Sequence, residues 1–497
     1  MLGFNNLSNL LILIPILLVA NLIFIKFIKN RIVNEFMIGI LSILLLIVIY
    51  KIDLIFYQSG EKFFYYRISE INSGLNISFR LEKFSLTFIN LIGVLQFFAL
   101  IYTIQYLRYD HCDPKNPFKY KKFYTFYISS VYATFGVALS ANLLTIFIFY
   151  EAITILTYPL IVYNNNAQSR QIGRYYLTIF MVTSVMLLIP AMSLTYYLAH
   201  SLDFKTYGII NQENTSQNMA NFILLLFVFG IAKTAIIPLH RWLPHAMVAP
   251  TPVSALLHAV VVVKSGLFTL MMVIYGIFDF RFLKESSFKI FHENWLTYLA
   301  LTTIVVSSII AFYQDNLKKR LAYSTISQLS YVIIAISLYT QGGLVAAMLQ
   351  MIAHAVAKIT LFFVAGIIYV KHHRTKISDM SGIAQYNPII TTCFLIALFS
   401  IVGLPPTIGF FSKYTIISNN FSAHNLISII TIIFTTIISV SYIFPVIYTM
   451  LFSRKIYNNY DDDKKNPYMM MFATIATTIM TVLLFFYAKH IMLFLNS

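Results

Sequence analysis

Charged residues are scarce in this chain of 497 residues. Asp, Glu, Lys and Arg together make up 11% of it, whereas soluble domains carry about 25%. Hydrophobic residues make up 59%. This balance argues against a soluble globular protein, and it predicts that the chain lies in a lipid bilayer.

Cysteine is almost absent, and the motifs of common enzymes are missing. Cys112 falls in a loop and Cys393 in an apolar run, so we expect neither a disulfide bond between them nor a cysteine metal site. The sequence has no Gly-rich phosphate loop, no paired catalytic carboxylates and no nucleophile–base pair. We therefore expect no catalytic residues, no cofactor and no bound metal.

Acidic residues are outnumbered, with 18 Asp and Glu against 35 Lys and Arg, which gives a formal net charge of +17. In a soluble protein such an excess would suggest binding to nucleic acid. Here most basic residues lie in loops between apolar runs, where they orient a membrane protein. We expect a lipid bilayer as the surroundings, and no nucleic-acid partner.

Long apolar runs dominate what is present, and about fourteen have the length of a membrane-spanning helix. The first run follows no positive charge and precedes no small-residue cleavage site, so it is interpreted as a helix and not as a signal peptide. The predicted spans are 9–28, 36–56, 84–106, 123–140, 142–163, 172–199, 220–238, 253–278, 294–313, 322–339, 343–370, 388–416, 425–450 and 469–491.

Basic residues in the loops also predict the orientation. Loops on one side of the predicted spans carry about 21 Lys and Arg, and loops on the other side about nine; the richer side of a membrane protein faces the cytoplasm. We therefore expect a multi-pass protein of the inner (cell) membrane with both termini on the outer, periplasmic side.

A few ionisable residues lie inside the apolar runs. Each charge at the membrane centre costs about 2.5–3.5 kcal/mol on insertion scales, so such residues usually serve a function. Two structural alternatives remain: Lys413 could extend to the membrane interface, and a neutral His258 could form hydrogen bonds within the helix bundle. The residues are Glu151, Lys233, His258, Lys264, His354, Lys358 and Lys413.

These residue types suit proton transfer. Burial disfavours the charged form of lysine, which lets a buried lysine exchange protons near neutral pH. A nearby carboxylate favours the charged form, so Glu151 and Lys233 are a candidate protonation switch. Gln350, His354 and Lys358 recur at every fourth position and therefore share one helix face.

Proline interrupts the seventh and twelfth spans, around Pro238 and at Pro405-Pro406. Proline breaks helices, and broken helices mark ion sites in transporters. The breaks are five spans apart, which predicts two inverted five-helix repeats. The predicted domains are 1–121 (helices 1–3), 122–278 (helices 4–8), 294–452 (helices 9–13) and 453–497 (a loop and helix 14). The predicted fold class is an all-α polytopic membrane protein.

The stretch GIAKTAIIPLHRWLPHAMVAPTPVSALLHA at 230–259 is long and specific. This stretch resembles the antiporter-like proton-translocating subunits shared by Mrp-type cation/proton antiporters and respiratory NADH:quinone oxidoreductase (complex I). The resemblance covers roughly residues 80–450. Supporting matches are FYEA at 149–152, KRLAYSTISQ at 319–328, HAVAK at 354–358 and GFFSK at 409–413.

The resemblance implies a fourteen-helix fold with inverted repeats and outward termini, in agreement with the pattern of spans. It also implies a role for each residue along the path. These roles are coupling of neighbouring subunits for Glu151, proton uptake for Lys233, a relay for His258 and Lys264, a central relay for His354 and Lys358, and proton release for Lys413.

Two features set this chain apart from some family members. Gln350 stands where some members have another relay histidine, so the central path relies on water or on His354 alone. The chain also stops soon after the fourteenth span, which suits an Mrp D-type subunit or one of the shorter antiporter-like subunits of complex I. One of these complex I subunits has glutamate at the terminal lysine position, and Lys413 argues against that one.

The expected function is therefore proton translocation within a multi-subunit monovalent cation/proton antiporter. Its partners would be other membrane subunits, and Na⁺ or K⁺ would be the exchanged ion. A proton-pumping subunit of complex I is the alternative. A scaffold that conducts nothing and a self-sufficient carrier are weaker alternatives.

Overall fold

The computed structural model describes residues 2–60, 63–72, 75–109, 118–286, 289–290, 293–452 and 466–496. Cys112 and the predicted loop at 453–465 lie outside these residues.

A helix coincides with each of the fourteen predicted spans. In chain order the helices are α1 (Leu2–Phe27), α2 (Arg31–Ser59), α3 (Lys83–Tyr109), α4 (Phe118–Leu139), α5 (Leu143–Ile161), α6 (Ala167–Ala199), α7 (Gln217–Gly230), α8 (Thr251–Gly276), α9 (Trp295–Phe312), α10 (Leu317–Ile336), α11 (Gln341–His372), α12 in two halves (Pro388–Val402 and Ile408–Ser422), α13 (Leu426–Leu451) and α14 (Tyr468–Asn496).

Ten described helices are long and apolar enough to cross a membrane: α1 to α3, α5, α6, α8, α9, α11, α13 and α14. Two shorter apolar helices, α7 and the first half of α12, are the broken elements. This confirms the helical, polytopic class and the two interrupted helices. The grouping of the spans into domains stays a prediction.

Short elements connect the spans. The strands are β1 (Phe63–Asn72), β2 (Leu75–Glu82), β3 (Lys289–Ile290) and β4 (Glu293–Asn294). Further helical turns are Ala232–Thr234, Leu239–Arg241, Trp242–His245, Ala246–Val248, Phe280–Ser286, Ile377–Asp379 and Ile383–Tyr386. Two π-helical turns, Ser184–Leu188 and Leu256–Val260, lie within α6 and α8.

The antiparallel hairpin β1–β2 is not among the elements that the sequence predicts. It pairs Phe63 with Glu82 and Tyr65 with Arg80, and it lies against the turn between α4 and α5. There the Ala141 N–H donates to the Ser78 carbonyl oxygen at 3.0 Å, and the Ser78 N–H donates to Thr145 Oγ1, in the first turn of α5, at 3.1 Å. The segment is too polar to span a membrane, so a hairpin satisfies its backbone groups instead.

Helices α8 and α11 form the centre of the molecule. The apolar window of each is completely buried, whereas only 17% of the α1 window is buried. They pack against each other, and α10, α12, α14 and α3 surround α11. Polar side chains on α8 and α11 therefore face protein and not lipid, which is where intramembrane ionisable groups are found.

Helix α7 ends earlier than predicted, at Gly230 instead of residue 238. Ala235 has a left-handed backbone with φ of 57°, and Pro238 has no N–H to continue the helical bonds. The Trp242 Nε1–H donates to the Ala232 carbonyl oxygen at 3.1 Å and so holds the open turn in place. In α12 the chain turns at Gly403, with φ of 92°.

Candidate functional site

Lys233 is completely buried in the turn that follows α7. Its ammonium group donates to the Tyr150 carbonyl oxygen and lies 3.3 Å from the centroid of the Tyr150 ring. The Lys233 backbone N–H donates to the Tyr150 hydroxyl at 3.3 Å. A carbonyl oxygen and an aromatic face stabilise an ammonium group that has lost its water.

Glu151 follows Tyr150 on α5, so the structure brings the predicted Glu151–Lys233 pair to one place. The carboxylate is bonded elsewhere, however: Glu151 Oε1 accepts from Ser184 Oγ at 2.5 Å. Glu151 Oε2 is buried and has no hydrogen-bond partner. The two residues are thus neighbours with separate partners in this conformation, and their action as a switch stays a prediction.

Lys264 and His354 form a direct link between α8 and α11. Lys264 Nζ lies 2.9 Å from His354 Nδ1 and donates to the Met351 carbonyl oxygen at 3.0 Å. A charged Lys264 can only donate, so Nδ1 is then the acceptor and a neutral His354 carries its proton on Nε2. That Nε2 atom is buried and has no partner in the protein.

His258 is completely buried on the π-helical turn of α8. Both of its ring nitrogens have no hydrogen-bond partner, and its ring centroid lies 4.8 Å from that of Phe362. The structure therefore does not support the alternative that His258 is a hydrogen-bonded structural histidine. No hydrogen bond joins His258 to another predicted relay residue, so its role stays a prediction.

Lys358 lies one helical turn from His354 on α11, but its ammonium group is bonded to α10. There it donates to the Leu321 carbonyl oxygen at 3.0 Å and to Ser324 Oγ. The side chain is completely buried. Its partners are neutral oxygens, so neither the charged nor the neutral form of Lys358 is locked in place by a carboxylate.

The Lys413 side chain connects the two halves of α12 across the break between them. Its Nζ donates to the Val402 carbonyl oxygen, the last of the first half-helix, at 2.8 Å, and to Thr436 Oγ1 at 3.3 Å. The C-terminal carbonyls of a helix are free and favour a cation. With 6% of its surface exposed, Lys413 bonds inward, which contradicts the alternative that it extends to the membrane interface.

Sequence reasoning missed three buried polar residues: Gln328 on α10, Ser412 on α12 and Glu35 on α2. Gln328 and Ser412 both bond to Gln350. Both lie in stretches that match the family, but uncharged polar residues are common in the apolar runs, so neither was singled out as a site residue.

Glu35 is buried with 2% of its surface exposed. It lies just before the predicted second span, where the sequence pattern indicates a loop. Its carboxylate accepts from Arg31 Nε at 2.9 Å, from Arg108 Nε at 2.9 Å and from the Tyr124 hydroxyl at 3.3 Å. These bonds hold α2, α3 and α4 together, and none of them involves a predicted residue of the proton path.

The described residues contain no group of three or more His, Cys, Asp or Glu that could hold a metal ion. What the site does contain is a series of buried lysines and histidines that bond to neutral oxygens, to an aromatic face and to one another. Such groups can gain and lose protons, and the chemistry they support is proton transfer through a polytopic membrane protein.

Residues 140–439, 300 of the 497, match the family described as NADH:quinone oxidoreductase/Mrp antiporter, transmembrane region. The chain belongs to this family, which confirms the resemblance seen in the sequence.

An antiporter subunit and a quinone oxidoreductase subunit are both similar to this chain. The Staphylococcus saprophyticus "Putative antiporter subunit mnhA2" is 29% identical over 436 residues, which cover 82% of this chain and 52% of that protein. The Lotus japonicus "NAD(P)H-quinone oxidoreductase subunit 5, chloroplastic" is 30% identical over 409 residues, covering 78% and 52%. The chain thus spans about half the length of these curated relatives.

The fold is also that of a solved structure. A chain in the structure of the Mrp complex from Dietzia sp. DQ12-45-1b superimposes with a TM-score of 0.83, covering 98% of this chain and 96% of that one. The sequence identity is 16%, so this likeness shows the fold alone.

Proposed function

We propose that this chain is a proton-translocating subunit of a multi-subunit monovalent cation/proton antiporter of the Mrp type. The observation that carries the proposal is the 2.9 Å contact between Lys264 and His354. It joins two titratable side chains from the two most buried helices, α8 and α11. Membership of the family and the fold shared with an Mrp complex chain support the same conclusion.

A proton can pass along this contact from Lys264 to His354. Lys264 gives a proton to His354 Nδ1 and becomes neutral, and His354 then carries protons on both ring nitrogens. Release of the Nε2 proton leaves a neutral histidine with its proton on Nδ1, and the ring or its tautomer must reset before the next transfer. A histidine that accepts at one nitrogen and releases from the other moves a proton across its own ring.

Lys233 and Glu151 would control the other end of the path. Lys233 now bonds to the Tyr150 carbonyl oxygen and Glu151 to Ser184. A change of side-chain position that pairs Glu151 with Lys233 would hold the lysine charged. Separation of the pair would favour release of its proton. In this proposal His258 belongs with Lys264 to the relay on α8, Lys358 belongs with His354 to the central relay, and Lys413 releases the proton.

The proposal also covers the membrane location, the inverted repeats, the partners and the exchanged ion. The chain would lie in the inner (cell) membrane with both termini on the outer side, as the excess of basic residues in the opposite loops predicts. Its helices 4–8 and 9–13 would be inverted repeats. Other membrane subunits would be its partners, and Na⁺ or K⁺ would be the exchanged ion.

The alternative is a proton-pumping subunit of complex I, favoured by the 30% identity to a quinone oxidoreductase subunit. The same lysines and histidines would then move protons, and a redox reaction in other subunits would drive them. In either case the proposal places no cofactor in this chain.

Purification decides between the two assemblies. The tagged chain is extracted in mild detergent, and its partners are identified by mass spectrometry. Co-purification with small hydrophobic subunits, and exchange of Na⁺ or K⁺ for protons after reconstitution into liposomes, is the expected result. Recovery of flavin and iron–sulfur subunits would place the chain in complex I. Recovery of the chain alone, without exchange, would refute both.

A further inference from the structure

Gln350 occupies the centre of a hydrogen-bonded bridge between three helices. Its Nε2 donates to Gln328 Oε1 on α10 at 3.0 Å, and its Oε1 accepts from Ser412 Oγ on α12 at 2.7 Å. All three side chains are buried, with at most 2% of their surface exposed. The bridge connects α11 to both neighbouring helices at one level of the bundle.

The bridge lies between two titratable residues of the proposed path. On one side, His354 follows Gln350 by one turn on the same face of α11. On the other side, Ser412 directly precedes Lys413. Gln328 is one turn from Tyr331 on α10, and Lys413 Nζ lies 5.1 Å from the centroid of the Tyr331 ring.

A carboxamide does not titrate, so the bridge cannot itself carry a proton as a histidine would. Two buried donors have no protein partner: Gln328 Nε2, within the bridge, and, when His354 accepts from Lys264, Nε2 of His354 on the next turn of α11. Buried polar groups are nearly always satisfied, and water is the usual partner where the protein offers none.

We propose that the amide bridge of Gln350, Gln328 and Ser412 positions water that carries the proton from His354 to Lys413. This inference rests on the proposed function and adds a link to it. The Nε2 proton of His354 passes to the water, and a proton of the water passes to neutral Lys413, which becomes charged. Gln350 is thus a positioning residue, and its geometry sets the rate of the step.

The test measures proton exchange in liposomes that hold the whole assembled complex, with a pH-sensitive dye and pulses of Na⁺ or K⁺. Gln350→Leu removes both arms of the bridge, and Ser412→Ala removes one arm with a smaller change of volume. Gln350→His places a titratable ring at the same position. Gln341→Leu, at the exposed first residue of α11, is the matched control.

We expect Gln350→Leu to lower the exchange rate at least about tenfold, because transfer between misplaced groups is slow, and Ser412→Ala to lower it less. Gln350→His should retain exchange and acquire a new dependence on pH between about 5 and 8, where histidine changes charge. The control should match the wild type. A merely structural role for Gln350 would produce no new pH dependence.

If Gln350→Leu or Ser412→Ala exchanged protons at the wild-type rate, the proposed role of the amide bridge would be refuted. A Gln350→His variant that assembles but is as slow as Gln350→Leu would also count against a proton path at this position, because an imidazole next to His354 can itself pass on the proton that the water carries. Absence of exchange in the wild-type complex is a different result: it would refute the proposed function itself.

Discussion

Gly266→Ala should slow exchange although it changes no charge. Gly266 lies on α8 against the turn that carries Lys233. A Cβ at this position would lie 2.7 Å from Lys233 Cβ and 2.8 Å from the Lys233 carbonyl carbon. Ordinary contacts begin near 3.4 Å, so the turn or α8 must move by about 0.7 Å in an interior that is close-packed.

The size of the effect follows from that displacement. Overpacking costs about 1–3 kcal/mol, part of which alanine regains because it favours the helix by about 1 kcal/mol over glycine. The complex should therefore still assemble. A misplacement of about 1 Å between reacting groups costs up to about a hundredfold in rate, so a displacement of about 0.7 Å predicts a loss of about tenfold.

The assay is proton exchange in liposomes, normalised to assembled complex measured by size exclusion. Gly39→Ala in α2 is the matched control, because a methyl group added there meets no atom within 4 Å. It should exchange at the wild-type rate. If Gly266→Ala exchanged protons at the wild-type rate, the reasoning would be refuted, because the position of Lys233 would then not affect proton transfer.

Three further predictions concern other contacts. Gly409→Ala, whose methyl would overlap the Ser400 carbonyl oxygen, should prevent assembly or abolish exchange; normal amounts of active complex by size exclusion would contradict it. Ser184→Ala leaves the Glu151 carboxylate without its donor and should slow dye-measured exchange several-fold, whereas an unchanged rate would argue against a role for that bond. Glu35→Gln removes the buried carboxylate that accepts from Arg31 and Arg108, whose side chains are 30% and 43% exposed, and should cost about 1–3 kcal/mol, which appears as a lower melting temperature; an unchanged melting temperature would show that the ion pairs contribute little.

The sequence was sufficient to predict the helices and the breaks. Runs of about 20 apolar residues leave few alternatives to a helix in a membrane, and proline marks where a helix stops. The position of the break was less predictable. Helix α7 ends at Gly230, because the open turn is held by Trp242 through a bond to Ala232 that no local pattern indicates.

The buried ionisable residues could also be found, since each is exceptional within its apolar run. Their partners could not. Lys264 and His354 lie 90 residues apart, and only the packing of α8 on α11 brings them together. The bonds of Gln350 are hidden for the same reason, and Glu35 was missed because its arginine partners belong to the start of α2 and the end of α3.

The central claim is that buried lysines of this chain carry the protons, and Lys264→Met tests it most directly. Methionine fills the space of the lysine stem but cannot hold a proton. Lys489→Met, at an exposed position of α14, is the control. Loss of proton exchange by assembled Lys264→Met complex, with normal exchange by Lys489→Met, is the predicted result. Normal exchange by Lys264→Met would contradict the account.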